Sequence, residues 1–359
     1  MEKKADSKRK IRVLVTDDSP LMRQFLSGVI EATPEFSLVG VAANGEEALK
    51  LIPELKPDVV TMDIAMPVLD GLEATQQIMA RHPTPILIVS ASHAKEATGL
   101  AFKALAYGAL DVFDKSFATA AEGREVKIAE FIARIKIVSR VRVIRHPFAK
   151  AGTAPIRMAV PEKPASSERA PAGMLVAIAA STGGPHALQE ILRELPADFP
   201  SSILIVQHIS EGFDVGLADW LGHQCSIAVK LASDGLTIQA GTAYLAPTGS
   251  HLRIGKNRKL ALTDEPAQDG YKPSANLLFE SVARVYRERA LGVILSGMGG
   301  DGVVGLREMK RAGARIFAQD EATSIVFGMP KAAVEAGIVD SVLALDRIAA
   351  AILESAARD

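Results

Sequence analysis

Residues 295–302 read LSGMGGDG, and they open two readings of the second half of the chain. Gly297, Gly299 and Gly302 spell G-x-G-x-x-G after an apolar run, Ala290–Leu295, that predicts a strand, and before Val303–Ala312, which predicts a helix. Asp320 closes the next predicted strand about 20 residues on, as the acidic residue of a dinucleotide-binding unit does. Asp301 argues the other way. Inside the loop its charge would face a pyrophosphate, whereas the same turn could serve to present a carboxylate. On either reading the segment is strand, turn and helix, the unit of an α/β fold.

Upstream, LVAIAAS, then Pro185–Leu195, then SSILIVQH repeat the order strand, helix, strand. The short runs AVKLA, TAYLAP, HLRIG and KLALT follow, predicted as hairpins inserted between parallel units. Leu277–Arg289 predicts a helix, ALGVILS and ARIFAQD predict strands, and Asp346–Ala357 predicts a terminal helix. Three of these strands end in reactive residue types: Ser181, His208 and, in the turn, Asp301. Side chains that follow parallel neighbouring strands meet at one edge of the sheet. Hydroxyl attack needs this set: a serine, a histidine to take its proton, and an acid to orient and stabilise the histidine. Singly, each has another use. Ser181 could cap a helix, His208 could be a hydrogen-bonded core residue, and Asp301 could cap the helix that follows it. His186, His223 and His251 compete for the role of base. No G-x-S-x-G elbow surrounds Ser181, which separates the segment from ordinary α/β-hydrolases.

The first half alternates IRVLVTD, SLVGVAA, VVTMD, PILIVSA and ALDVF with amphipathic segments at Pro20–Ala32, Glu46–Leu55, Leu69–Arg81 and Lys95–Tyr107. That order calls for right-handed crossovers and a doubly wound parallel sheet. A last helix is predicted near Glu125–Arg142, with Ile128, Ile132, Ile135, Val138 and Val141 as its buried stripe. Ligands collect at the carboxyl ends of such strands, and there stand Asp17, Asp18, Asp63, Ser90 and Lys115. Converging carboxylates repel unless a cation neutralises them, and an all-oxygen set suits Mg²⁺. Lys115 offers a second counter-charge. The predicted site holds Mg²⁺ and a phosphoryl group, with one carboxylate as acceptor.

Between the halves, Arg145–Gly173 holds five prolines and no sustained period. It predicts an interdomain linker, residues 145–172, between a domain at 1–144 and another at 173–359. A length of 359 residues, 48% of them hydrophobic and 23% charged, suits two globular domains with a core each. The formal net charge of −1 supplies no electrostatic reason to expect a nucleic-acid partner. No run nears the ~20 apolar residues of a bilayer span. Met1–Arg12 reads as a solvated tail, and the apolar run after it meets Asp17 too soon for a signal peptide. The single cysteine, Cys225, excludes an internal disulfide and a multi-cysteine metal site, and reads as a small buried hydrophobe. A cytoplasmic protein that does not insert in membranes is expected.

Residues 11 to about 143 resemble a response-regulator receiver domain, through VTDDSPLMR, VVTMDIAMPVLDGLEA, ILIVSAS and GALDVFDK. The resemblance implies that Asp63 accepts phosphate from a histidine kinase, that Asp17, Asp18 and Asp63 form the Mg²⁺ site, and that Ser90 and Lys115 sense the phosphoryl group. That family usually has a proline after the lysine, commonly in a cis bond; here it is Ser116. A non-proline cis bond costs about 2.5–4 kcal/mol, so a trans peptide is expected.

AIAASTGGPHAL, ILIVQH, YLAPTGSHLRI, KPSANLLFESVA, GVILSGMGGDGVVGL and AQDEATSIVFGMPKAA resemble the catalytic domain of the chemotaxis protein-glutamate methylesterase family, often called CheB. The resemblance implies a triad of Ser181, His208 and Asp301, with Thr182 and Met298 at the site and no cofactor there. It implies hydrolysis of glutamate γ-methyl esters on chemoreceptors, with release of methanol, and deamidation of receptor glutamines. It also implies a receiver that covers the esterase site until Asp63 is phosphorylated. His208-Ile209-Ser210 stands where the family commonly reads His-Met-Pro, and Gly212–Leu221 follows it only loosely, which bears on receptor preference. LSGMGGDG is then a turn that presents a carboxylate. Two other classes make different predictions. A non-catalytic interaction module would take phosphate at Asp63 yet be indifferent to Ser181→Ala. A dinucleotide oxidoreductase would bind NAD and lose it on Gly299→Val.

Overall fold

Asp17 and Asp63 owe their position to the order in which five parallel strands are laid down. The strands are β1 (Ile11–Thr16), β2 (Phe36–Ala42), β3 (Val59–Met62), β4 (Ile86–Ser90) and β5 (Asp111–Asp114), and they lie in the order β2-β1-β3-β4-β5. Helices α1 (Pro20–Ala32), α2 (Gly45–Leu55), α3 (Gly71–Arg81), α4 (Lys95–Ala106) and α5 (Arg124–Val138) make the connections. The computed structural model describes residues 9–91, 95–118, 123–141, 143 and 173–357, which fall into two compact units, Met1–Ile156 and Arg157–Asp359. The predicted linker at 145–172 and the first eight residues of the predicted tail lie outside the described residues.

Val13, Leu14, Val15, Val59, Val60 and Ile86 to Val89 are buried, which is why these strands read as unbroken apolar runs rather than alternating ones. Ser19, Asn44 and Asp70 cap α1, α2 and α3 with their side-chain oxygens. Gly71 opens α3 against the strand that carries Asp63. A Cβ there would stand 1.9 Å from the Asp63 carbonyl oxygen, so only glycine allows the approach. The buried face of α5 differs from the predicted stripe. Phe131, Arg134, Ile135 and Val138 form it, while Ile128 and Ile132 are half-buried. Phe131 packs with Phe113 and Phe117, and Arg134 is carried inside by its ion pair with Asp111. A charged residue with a buried partner is invisible to an apolar periodicity.

The second unit has a seven-stranded sheet, all parallel in its pairings, in the order β14-β13-β12-β6-β7-β9-β8. Its strands are β6 (Leu175–Ala180), β7 (Ser202–Gln207), β8 (Ala228–Leu231), β9 (Thr242–Leu245), β12 (Ala290–Ile294), β13 (Arg315–Gln319) and β14 (Ser341–Leu343). A hairpin of β10 (His251–Ile254) and β11 (Leu260–Thr263) stands apart from it. Helices are α6 (Gly184–Arg193), α7 (Asp214–Gln224), α8 (Ala275–Tyr286), α9 (Val303–Arg311), α10 (Met329–Glu335) and α11 (Leu345–Ala357). Of the four short runs read as hairpins, HLRIG and KLALT form one. AVKLA and TAYLAP instead extend the parallel sheet, and TAYL is buried throughout, as an interior strand must be. No helix among the described residues is long and apolar enough to cross a membrane.

Candidate functional site

In the second unit the chain order reverses between β6 and β12, because β6 leads on to β7 at one side and β12 to β13 at the other. A crevice opens beyond the carboxyl ends at such a switch point. Ser181 is the first residue past β6, His208 the first past β7, and the turn after β12 carries Met298 and Asp301. Strand register brings the first two side by side: Ala180 pairs with Gln207, and the His208 N–H donates to the Ala180 carbonyl at 2.9 Å. On the other flank the Ser181 N–H donates to the Ser296 carbonyl at 3.0 Å. Ser181, Thr182, His208 and Asp301 are buried, whereas Met298 is 41% exposed.

Nε2 of His208 stands 2.9 Å from Oδ2 of Asp301. The same carboxylate accepts the N–H groups of Ala275 at 2.6 Å and Asn276 at 3.1 Å, and the Ser274 hydroxyl at 3.0 Å. Asp301 therefore caps α8 and not the helix that follows it. The α9 end is served by Asn276, whose Oδ1 accepts the Gly302 and Gly305 amides, both at 3.0 Å. Burial pushes the Asp301 carboxyl up, but the hydrogen bond and charge of His208, with the two helix amides, outweigh it and hold the group below its usual range. Nδ1 of His208 is buried and has no hydrogen-bond partner among the described residues. A serine at the adjoining strand end, an acid fixed on one ring nitrogen and a vacant second nitrogen are the parts of an activated nucleophile.

The competing histidines are engaged elsewhere. His251 is fully buried; its Nε2 is 3.2 Å from the Pro266 carbonyl oxygen and its Nδ1 accepts the Ser274 amide at 3.1 Å. His223 bonds the Asp219 carbonyl one turn back on α7, at 2.6 Å, and His186 is exposed on α6. Other contributors escaped the sequence reading. Gln207 Nε2 donates to the carbonyls of both Ser181, at 2.8 Å, and His208, at 3.0 Å, tying the two strand ends together. Its signal was a polar side chain at the end of an apolar run. Asn276 and Ser274 lie in a stretch whose helical pattern discloses nothing of what their side chains bond. Tyr271, in an irregular segment, stacks on His208.

In the first unit, one oxygen each of Asp17, Asp18 and Asp63 fall within 4.8 Å of one another. Asp17 and Asp63 are buried and Asp18 is exposed. Lys115 Nζ lies 2.7 Å from Asp63 Oδ2 and 3.5 Å from Asp17 Oδ2. Burial, and then the Asp63 charge, push the Asp17 carboxyl up to about 6. Burial also raises Asp63, against the pull of the Lys115 hydrogen bond. Burial opposes the charge on Lys115, but its bonds and attraction to Asp63 and Asp17 prevail and raise it. Two buried carboxylates raised chiefly by burial, offering oxygen donors only beside the exposed Asp18, fit a hard divalent cation.

Ser90 ends β4, buried, in register with Asp114. The Lys115–Ser116 peptide is trans, as expected, the one cis bond among the described residues being Lys272–Pro273. Ser116 donates its N–H, at 3.2 Å, and its hydroxyl to the Asp114 carboxylate, and proline has neither donor.

The family model for the response regulator receiver domain matches residues 13–123, and that for CheB methylesterase matches residues 176–352. A relative from Anaeromyxobacter dehalogenans (strain 2CP-C), named protein-glutamate methylesterase/protein-glutamine glutaminase 3, is 45% identical over 340 residues, 94% of this chain and 97% of its own. One from Geobacillus kaustophilus (strain HTA426), named protein-glutamate methylesterase/protein-glutamine glutaminase, is 41% identical over 349 residues, 96% of this chain and 98% of its own. The solved catalytic domain of the Thermotoga maritima CheB methylesterase is 36% identical with a TM-score of 0.50, covering 51% of this chain and 98% of that one.

Proposed function

The chain belongs to the CheB family of protein-glutamate methylesterases/protein-glutamine glutaminases, and from that premise we propose a reaction and a switch for it. It is a serine hydrolase that cleaves glutamate γ-methyl esters of chemoreceptors and deamidates receptor glutamines, under control of its receiver domain, in the cytoplasm. The observation that supports this best is the 2.9 Å contact of His208 with Asp301 beside Ser181 at the sheet's switch point.

Ser181 Oγ attacks the γ-carbonyl carbon while His208, through its vacant nitrogen, takes the hydroxyl proton. Asp301 stabilises the resulting imidazolium, and its own anchorage on α8 keeps it ionised. His208 then returns the proton to the departing methoxide, giving methanol, or to the departing amine of a glutamine, giving ammonia. Water, deprotonated by His208, attacks the acyl-serine carbonyl; the bond to Ser181 Oγ breaks as His208 returns the proton to that oxygen, and the glutamate leaves as its carboxylate. General base assistance of this kind typically contributes 10²–10⁴-fold, roughly, to the rate. Thr182 and Met298 adjoin the reacting centre, and no step calls on a cofactor.

In the receiver, Asp17, Asp18 and Asp63 hold Mg²⁺, which supplies charge neutralisation for phosphoryl transfer. Asp63 is the acceptor, and a chemotaxis histidine kinase is the donor. Phosphorylation brings about −1.5 to −2 of charge to a pocket where Lys115 and Ser90 stand ready to meet it. The test is methanol release from methylated chemoreceptor membranes by the wild type, Ser181→Ala and Asp63→Ala, with and without Mg²⁺ and a small-molecule phosphodonor. Release should vanish in Ser181→Ala and lose its phosphodonor stimulation in Asp63→Ala. Release that persists in Ser181→Ala would overturn the serine mechanism.

A further inference from the structure

His208 is held from a second direction. The ring of Tyr271 lies against its imidazole with centroids 4.4 Å apart and planes 20° from parallel. Local chain chemistry puts it there. Gln268 and Tyr271 exchange backbone hydrogen bonds, at 3.1 and 2.9 Å, across Asp269 and Gly270, whose φ angles are +51° and +86°. Two successive left-handed residues make the tight turn that Asp-Gly favours, and it delivers the tyrosine onto the histidine. The far end of the ring meets the Asp301 turn: a Cβ at Gly299 would fall 2.4 Å from the Tyr271 oxygen. One side chain thus spans the base and the turn that carries its acid.

Asp301 fixes an edge of the imidazole, and Tyr271 covers a face. An edge contact alone leaves the ring free to swing about the Asp301 hydrogen bond; edge and face together leave it one plane. The aromatic face also favours a cation over a neutral ring. Because the imidazolium exists only once Ser181 has given up its proton, that attraction acts on the transition state more than on bound substrate.

We propose that Tyr271 is a positioning residue for His208, which sets the plane of the imidazole and stabilises its charged form during ester cleavage. The proposal rests on the reading of Ser181, His208 and Asp301 as the catalytic set. It predicts an effect on kcat with KM little changed: phenylalanine preserves the rate, and leucine, apolar but smaller and without a π face, does not.

The experiment uses the full-length chain as wild type, Ser181→Ala, Tyr271→Phe and Tyr271→Leu, with kcat and KM from methanol release, melting temperatures, and NMR of the histidine ring protons assigned with His208→Gln. Tyr271→Phe should stay within about threefold of wild type, while Tyr271→Leu should lose roughly 10–100-fold in kcat, the scale of a misplaced catalytic group. The His208 ring protons, shifted upfield by the stacked ring in wild type and Tyr271→Phe, should move downfield in Tyr271→Leu. A folded Tyr271→Leu with wild-type kcat, beside an inactive Ser181→Ala, overturns this proposal and leaves the serine mechanism standing. Equal losses in the phenylalanine and leucine variants that track their melting temperatures overturn it in favour of a packing role. A wild type no faster than Ser181→Ala overturns the catalytic reading itself, and the role of Tyr271 with it.

Discussion

Nε2 of His208 and Oδ2 of Asp301 stand 2.9 Å apart, and that same oxygen accepts the Ala275 amide at 2.6 Å. The acid is thereby shared between the base and the first turn of α8, so its charge and its capping role can be separated by substitution. Asp301→Asn keeps one acceptor oxygen, enough for only one of the two helix amides, which bond different oxygens of the carboxylate, and it has no charge to offset an imidazolium. Its kcat should fall by about 10²–10⁴, with a smaller loss of stability than Asp301→Ala. Asp301→Ala should lose the activity and, in addition, about 1–3 kcal/mol of stability, because buried amides are left unpaired. Methanol release and thermal unfolding check both. Undiminished turnover in Asp301→Asn would remove the acid from the mechanism.

Gln207 is buried, and its amide nitrogen bonds the carbonyls of Ser181 and His208. Gln207→Leu roughly keeps the volume and removes the donor, so the His208 carbonyl loses this bond while the Ser181 carbonyl retains the Gly184 amide at 2.8 Å. Stability should drop by about 1–3 kcal/mol, and turnover by more than that loss explains, because the two strand ends it ties carry the nucleophile and the base. Activity per folded molecule, measured well below the melting transition, decides this. A variant that loses stability alone makes Gln207 a core residue and nothing more.

The site was legible to the extent that it follows from strand ends. Ser181, His208, Asp17 and Asp63 each come directly after a strand that is mostly apolar, and a parallel sheet converts that position in sequence into nearness in space. The framework of hydrogen bonds was not legible. Asp301 caps α8 through Asn276 and Ala275, which lie 25 and 26 residues before it in sequence, and Asn276 in turn accepts the Gly302 amide at the start of α9. Such pairings depend on α8 and α9 packing together, which Gly305 permits by standing where a Cβ would fall 2.5 Å from the Asn276 carbonyl. The buried face of α5, which includes Arg134, and the strands β8 and β9 depart from their predicted form for a related reason. A buried ion pair and an interior strand are settled by neighbours, not by local period.

Asp17 gives a pH dependence of definite sign. Its carboxyl is raised from the ordinary 3.8 to about 6, so the folded receiver binds this proton more tightly than the unfolded chain does. Stability therefore falls as pH rises from about 4 to 6, and the cost of the ionised pocket is complete above 6. Mg²⁺ should reverse that cost where the carboxylates are charged and be displaced by protons where they are not. Thermal unfolding of the full chain should show a larger Mg²⁺ stabilisation at pH 8 than at pH 5, and Asp17→Asn should abolish most of the difference. An equal Mg²⁺ effect in Asp17→Asn would move the cation away from these residues.

Gly297 offers a test of how closely the Asp301 turn must approach the nucleophile. A Cβ built there would lie 2.7 Å from Ser181 Cβ, 3.0 Å from the Ser181 nitrogen and 2.4 Å from Met329 Sδ. The Met329 chain can move, but Ser181 is held by the hydrogen bond its N–H donates to the Ser296 carbonyl and by Gln207 on its own carbonyl, so the turn itself must retreat. Asp301 lies in the same turn, and its retreat would loosen the His208 contact. Gly297→Ala should cost about 1–3 kcal/mol as an overpacked site and reduce kcat roughly 10- to 100-fold through displaced groups. Gly300, in that turn, has open space where its Cβ would be, so Gly300→Ala is the matched control and should turn over as wild type does. Comparable losses in the two variants would mean that the turn needs flexibility rather than close approach, whereas a loss confined to Gly297→Ala ties the rate to the spacing between the turn and Ser181.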